Sequence, residues 1–83
     1  MEHKLRVGES ARIRGGLLSQ HEVIYAGMPS DNTYSLTITY AAGYQRMGYN
    51  LFLPTNHREV WHKKGHITVL SVSPGEIHLR IDK

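Results

Sequence analysis

Residues 65–82 read GHITVLSVSPGEIHLRID, and no other stretch narrows the possible folds as far. Pro74 presets φ for the first corner of a type I or type II turn, and Gly75 follows where type II needs a positive φ. After the turn Ile77, Leu79 and Ile81 fall on one face and Glu76, His78, Arg80 and Asp82 on the other, the period of two of a half-buried strand. On the incoming side Leu70 and Val72 leave the phase of Ile67 and Val69. That shift predicts a bulge near Val69 and Leu70, or a strand buried on both faces. A lone hairpin is marginal in water, so the rest of the chain has to pack on this one.

The same alternation recurs upstream. Tyr34, Leu36, Ile38 and Tyr40 oppose Ser35, Thr37 and Thr39, and Tyr49, Leu51 and Leu53 form a return strand. Between them AAGYQRM, residues 41–47, is expected to be a connection too long for a tight turn. Near the amino end Leu5 and Val7 alternate with Lys4 and Arg6, and Ala11 and Ile13 with Arg12 and Arg14. Two short strands meeting at GES give this pattern, and so does one strand bulged at a glycine. Gly15 and Gly16 break the alternation, residues 17–21 are ambiguous, and the β-prone Val23, Ile24 and Tyr25 are expected to end at Gly27 and Pro29. After Pro54, Asn56 and Glu59 have capping-box-like spacing, Thr55 is an alternative cap, and Gly65 is a stop, so a short helix competes with a structured loop. The expected fold is all-β: a small antiparallel sheet, barrel or sandwich of five to six strands, with at most one short helix near residues 57–64.

Eighty-three residues make a single domain, residues 1–83. Ten Lys and Arg against seven Asp and Glu leave a net charge of +3, a mild bias toward anionic partners. With no cysteine there is neither a disulfide framework nor a thiol nucleophile. The polar amino terminus and the lack of a long apolar run lead to the expectation of a cytoplasmic protein with no membrane partner. No phosphate-binding glycine loop or nucleophile elbow is present, and the seven carboxylates are scattered singly, so no general acid/base pair can be nominated. The chain reads as a non-enzyme without cofactor. His57, His62 and His66 invite a metal test, but Gly65 would end a helix between the last two, and solvated or hydrogen-bonded histidines are the simpler reading.

The leading expectation is a nucleic-acid-binding regulator with RNA as the favoured partner. Lys4, Arg6, Arg12 and Arg14 form a basic strand face to which Arg80 adds if the terminal strands are neighbours, and guanidinium forks match phosphate oxygens. Tyr44, Arg46 and Tyr49 in the loop, and Trp61 among Arg58, Lys63 and Lys64, interleave rings with cations as single-stranded nucleic acid requires. The rival is a protein-binding inhibitor or accessory module of phage or mobile-element type, or a homo-oligomer subunit, acting through a strand edge or the tyrosine-rich loop. A third reading is a carbohydrate or small-ligand site on Tyr40, Tyr44, Tyr49 and Trp61.

RVGESARI, residues 6–13, resembles the opening of the carbon storage regulator family of bacterial RNA-binding translational regulators, which starts with two short strands around a Gly-Glu-Ser/Thr turn. Residues 67–82 are similar to that family's third and fourth strands in hydrophobic register and turn position. The resemblance implies an all-β fold, RNA as partner and Arg6 as an RNA contact. The chain departs from the family in three ways: residues 16–65 intervene, Leu5 stands where a second arginine is expected, and the family's fifth strand has no counterpart.

Overall fold

The computed structural model describes residues 2–15, 19–42, 45–62 and 65–82, and its regular elements are all strands: β1 (Glu2–Arg6), β2 (Ser10–Gly15), β3 (Ser19–Ser30), β4 (Thr33–Ala42), β5 (Gln45–Pro54), β6 (Glu59–His62), β7 (Gly65–Val72) and β8 (Glu76–Asp82). Two four-stranded sheets result. The middle sheet is the meander β2-β3-β4-β5, and the terminal sheet has the order β1-β8-β7-β6. Every pairing is antiparallel. The apolar positions read from the alternation turn inward from both sheets into one core: Ala11, Ile13, Val23, Tyr25, Tyr34, Leu36 and Ile38 from the middle sheet, and Leu5, Val60, Ile67, Val69, Ile77, Leu79 and Ile81 from the terminal one. Of the three expected arrangements this is the sandwich, with eight strands rather than five to six.

Two of the additional strands have plain causes. The helix weighed over residues 57–64 gives way to β6, because Val60 and Trp61 fall on opposite faces of a strand that pairs Glu59 with Thr68 and Val60 with Ile67. Eight residues make a marginal helix, and a β-branched and an aromatic side chain favour the pleated alternative. At GES the two strands are separate and belong to different sheets. The turn closes when the Glu9 N–H donates to the Arg6 carbonyl at 2.9 Å, with Gly8 at φ 91° in the position where a type II turn demands it. The Glu9 carboxylate accepts the Arg6 N–H at 2.7 Å, and Gly8 N–H donates to the Tyr25 carbonyl at 2.8 Å, which fastens the crossing to β3.

Neither Gly27 nor Pro29 ends β3. The strand absorbs both through register shifts on either side of Gly27, which takes φ 94°, and Pro29 lies within the second shift, where no ladder donor is lost. Residues 41–47 are likewise mostly strand. The β4–β5 ladder runs without a break from Thr33 and Pro54 to Ala42 and Gln45, so only Gly43 and Tyr44 separate the two strands. The carboxy-terminal hairpin and its bulge are as expected, with the shift between Val69 and Ser71 leaving Leu70 as the extra residue. Gly75 takes no positive φ, which leaves type I of the two turn types considered.

The second crossing, residues 55–58, is held by backbone bonds and by side chains. Arg58 donates to the Thr55 carbonyl at 2.9 Å and to the Leu70 carbonyl at 3.0 Å, so one guanidinium joins the crossing to the bulge. Two fully buried tyrosines of the middle sheet reach across the core: the Tyr25 hydroxyl donates to the Ser73 carbonyl and the Tyr34 hydroxyl to the His57 carbonyl. Burial raises both phenols, Tyr34 to about 12 against a smaller opposing pull from Arg58.

Candidate functional site

The cations expected to share one face are divided between two. On β1, Leu5 points into the core while Lys4 and Arg6 face outward beside His78 and Glu76 of β8, the strand that also carries Arg80 outward. Arg12 lies opposite Glu22 on the outer face of the middle sheet, on the far side of the sandwich. Arg14 pairs with His21 beyond a bulge that ends the simple alternation of the two arginines, and its side chain lies outside the described residues.

Acids also fill the terminal sheet's outer face. Register places Glu76 opposite Arg6 and Glu2 opposite Arg80. Glu2 Oε1 lies 2.8 Å from His78 Nε2, and Arg80 Nε donates to Asp82 Oδ2 at 3.0 Å. Lys4, Arg6 and Arg12 make no ion pair among the described residues. These are exposed pairs worth little in stability, but they lower the positive potential that a phosphate backbone would meet.

The aromatic residues separate in the same way. Trp61 stands on the outer face of β6 with 76% of its surface exposed. It stacks on His66 of β7 at 3.7 Å between ring centroids and 4° between planes, and His66 Nε2 lies 3.3 Å from Glu59 Oε1. Tyr49 is on β5, in the middle sheet, so it and Trp61 form no common cluster. Tyr44 lies outside the described residues, as do Lys63, Lys64 and the side chain of Arg46. Arg58, expected among the binding cations, is instead committed to backbone carbonyls. Among the described residues no group of three or more His, Asp or Glu is placed to hold a metal ion, and no helix is long and apolar enough to cross a membrane.

One surface was divided in the sequence between a return strand over residues 48–53 and the loop before it. β3 has twelve residues and β4 and β5 ten each, whereas the strands of the terminal sheet have four to eight. At about 3.3 Å per residue β3 accounts for the 38 Å length of the molecule. The shorter sheet runs out before the longer one does. Along β5 the inward row Leu53, Leu51, Tyr49, Met47 passes from half-buried to 51% and 62% exposed, and Phe52 on the opposite face is 64% exposed. β5 is also an edge, and among the described residues no strand pairs with its far side.

The other three edges are protected. β1 alternates Glu2, Lys4 and Arg6 along its outward face, β2 is interrupted by a bulge beside Arg12, and β6 is only four residues long. Charge, bulges and shortness are the devices by which sheets avoid pairing with strangers. β5 has few of them: its ladder is unbroken, and between Arg46 and Pro54 near its two ends no residue is charged. No protein-family model, no curated protein and no solved structure matches this chain.

Proposed function

We propose that this chain is a small non-enzymatic protein-binding module, an accessory domain or oligomer subunit, that holds its partner by main-chain pairing along β5. The observation that carries the reading is the contrast among the four edges, of which only β5 is long, regular, uncharged over residues 47–54 and flanked by exposed Met47, Tyr49 and Phe52. Strand addition at such an edge takes affinity from backbone hydrogen bonds and specificity from alternate side chains. The test is capture of a defined protein from a nuclease-treated lysate of the source cell. Phe52→Lys is expected to abolish capture, and Lys4→Ala with Arg6→Ala to leave it intact; the reverse pattern would reject the proposal.

A second reading, RNA held on the terminal sheet's outer face, is favoured by the exposed Trp61 ring and by the absence, among the described residues, of an ion pair to Lys4 or Arg6. β6 and β1 are the two edges of this sheet, about 14 Å apart at three interstrand spacings, a span that two or three unstacked nucleotides cover. A labelled-RNA shift at low salt that disappears both in Trp61→Ala and at raised salt supports it, and no shift at low salt rejects it.

A further inference from the structure

The hydrogen bonds around β5 fix which of its backbone groups are unused. Thr55 N–H donates to the Asn32 carbonyl at 2.9 Å, and these two residues continue the register that pairs Pro54 with Thr33. In an antiparallel ladder hydrogen-bonded pairs alternate with non-bonded ones, so Leu53, Leu51, Tyr49 and Met47 turn their N–H and C=O groups toward β4. Arg46, Gly48, Asn50 and Phe52 turn theirs toward the free edge. Any strand that adds to the sheet must bond to those four.

We infer that the strand is β5 of a second copy of this chain, related by a two-fold axis through Asn50, so that two middle sheets join into one of eight strands. The inference rests on the β5-edge reading above and names its partner. With the axis at Asn50, each Asn50 faces the other as a hydrogen-bonded pair, and Phe52 falls opposite Gly48 of the second copy. Gly48 leaves its backbone bare, and its own chain disfavours a side chain there: a methyl group would meet the Ile38 carbonyl at 3.3 Å, closer than an ordinary contact, and Thr39 Cγ2 at 3.5 Å. An aromatic ring across from a glycine covers the backbone that the glycine leaves bare and gives the exposed Phe52 a place to lie. On the other face the same register sets Tyr49 against Leu51 and Met47 against Leu53 of the second copy, extending the two apolar inner faces into each other where the terminal sheet leaves them uncovered. Residues 47–54 hold no charge, so nothing in the segment repels its own image. The two-fold pairing is isologous and closes, which limits the assembly to a dimer.

The chain has no cysteine, so a single introduced thiol reports the register without background. Facing residues of a hydrogen-bonded pair stand about 5.5 Å apart at Cα, within the range a disulfide spans. Under mild oxidation Asn50→Cys is expected to give a covalent dimer, and Thr37→Cys, on a strand one removed from the edge, is not. Sedimentation equilibrium is expected to show a dimer for the unmodified chain and association weakened by about tenfold or more in Asn50→Asp, where two carboxylates face each other at the axis. Asn50→Asp keeps the oxygen that accepts the Thr37 hydroxyl at 2.7 Å, and unchanged circular dichroism and melting of its monomer separate lost pairing from lost folding. A monomeric unmodified chain at several hundred micromolar, or a dimer indifferent to Asn50→Asp with no Asn50→Cys cross-link, overturns the inference. If the chain is monomeric yet Phe52→Lys still abolishes capture of another protein, self-pairing fails and the β5-edge reading stands.

Discussion

The two sheets meet the same core with opposite economies of surface. The terminal sheet is short, its outward cations lie among acids, its bulge is fastened by Arg58, and its exposed edges are charged or brief. The middle sheet is longer than what covers it, has a serine- and threonine-rich outer face on β4, and ends at β5 in a regular strand with apolar side chains in water. Sheets built from the same alternating code therefore differ in how much of their surface is already satisfied. The unsatisfied part is where a partner has most to gain.

The strongest way to break that contrast is to compare truncations of equal kind in the two regions. Leu79, fully buried at the centre of the terminal sheet, is expected to cost about 3 kcal/mol as Leu79→Ala, whereas Met47→Ala at the uncovered end should stay within about 0.5 kcal/mol. Urea denaturation of both variants measures the difference, and a large Met47 effect in a chain shown to be monomeric would mean that this end is covered after all.

Of intermediate size is the bond from the middle sheet to the crossing. Tyr34→Phe is expected to lose about 1 kcal/mol as the His57 carbonyl loses its donor. The same phenol imposes a pH dependence of fixed sign. Its ordinary value is 10.0 and burial lifts it to about 12, so below pH 10 it is protonated in both states and its stabilising contribution is complete. As pH rises from 10 to about 12 the unfolded chain ionises first and that contribution is lost. Melting temperature should fall across this window, and fall less steeply in Tyr34→Phe.

Smallest is the surface charge pairing. Glu2→Ala removes the contact to His78, and because Glu2 is exposed and His78 only half-buried the change should be no more than about 0.5 kcal/mol. If the acids of the terminal sheet serve mainly to neutralise its face, Glu2→Ala, which removes the acid opposite Arg80, should raise low-salt affinity for RNA, measurable in the same shift assay as the second reading.

Much of this architecture was legible in the alternation. The carboxy-terminal hairpin, its bulge at Leu70, the strands on either side of GES and the inward residues of β4 follow from a period of two, because a half-buried strand has no other way to write itself. What was hidden came from tertiary pairing. Glu59 and Val60 carry no local mark that β7 waits to pair with them, and a capping-like Asn56 pointed toward a helix. Gly27 and Pro29 looked like punctuation because a bulge that tolerates them has no sequence signature of its own. The candidate site was harder to read. Cations six to ten residues apart look contiguous in the sequence, but a type II turn at Gly8 sends Arg6 and Arg12 to opposite sides of the sandwich. The β5 edge was foreseen only in kind, as some strand edge or a tyrosine loop. Which edge is undefended depends on strand order, and strand order is not written locally.

Pairing of β1 with β8 has a temporal consequence. Glu2 and His78 lie 76 positions apart, whereas β2 to β5 join only to their sequence neighbours. Loop closure over most of the chain is slow compared with hairpin formation, so the middle sheet is expected to assemble first and β1 to dock last. Pulse-labelled hydrogen exchange should find β3 and β4 amides protected ahead of those of β1; simultaneous protection would contradict that order. During the interval the middle sheet would show water both its apolar inner face and its unguarded edge, and the pace of β1 docking would set how long the nascent chain stays prone to aggregation.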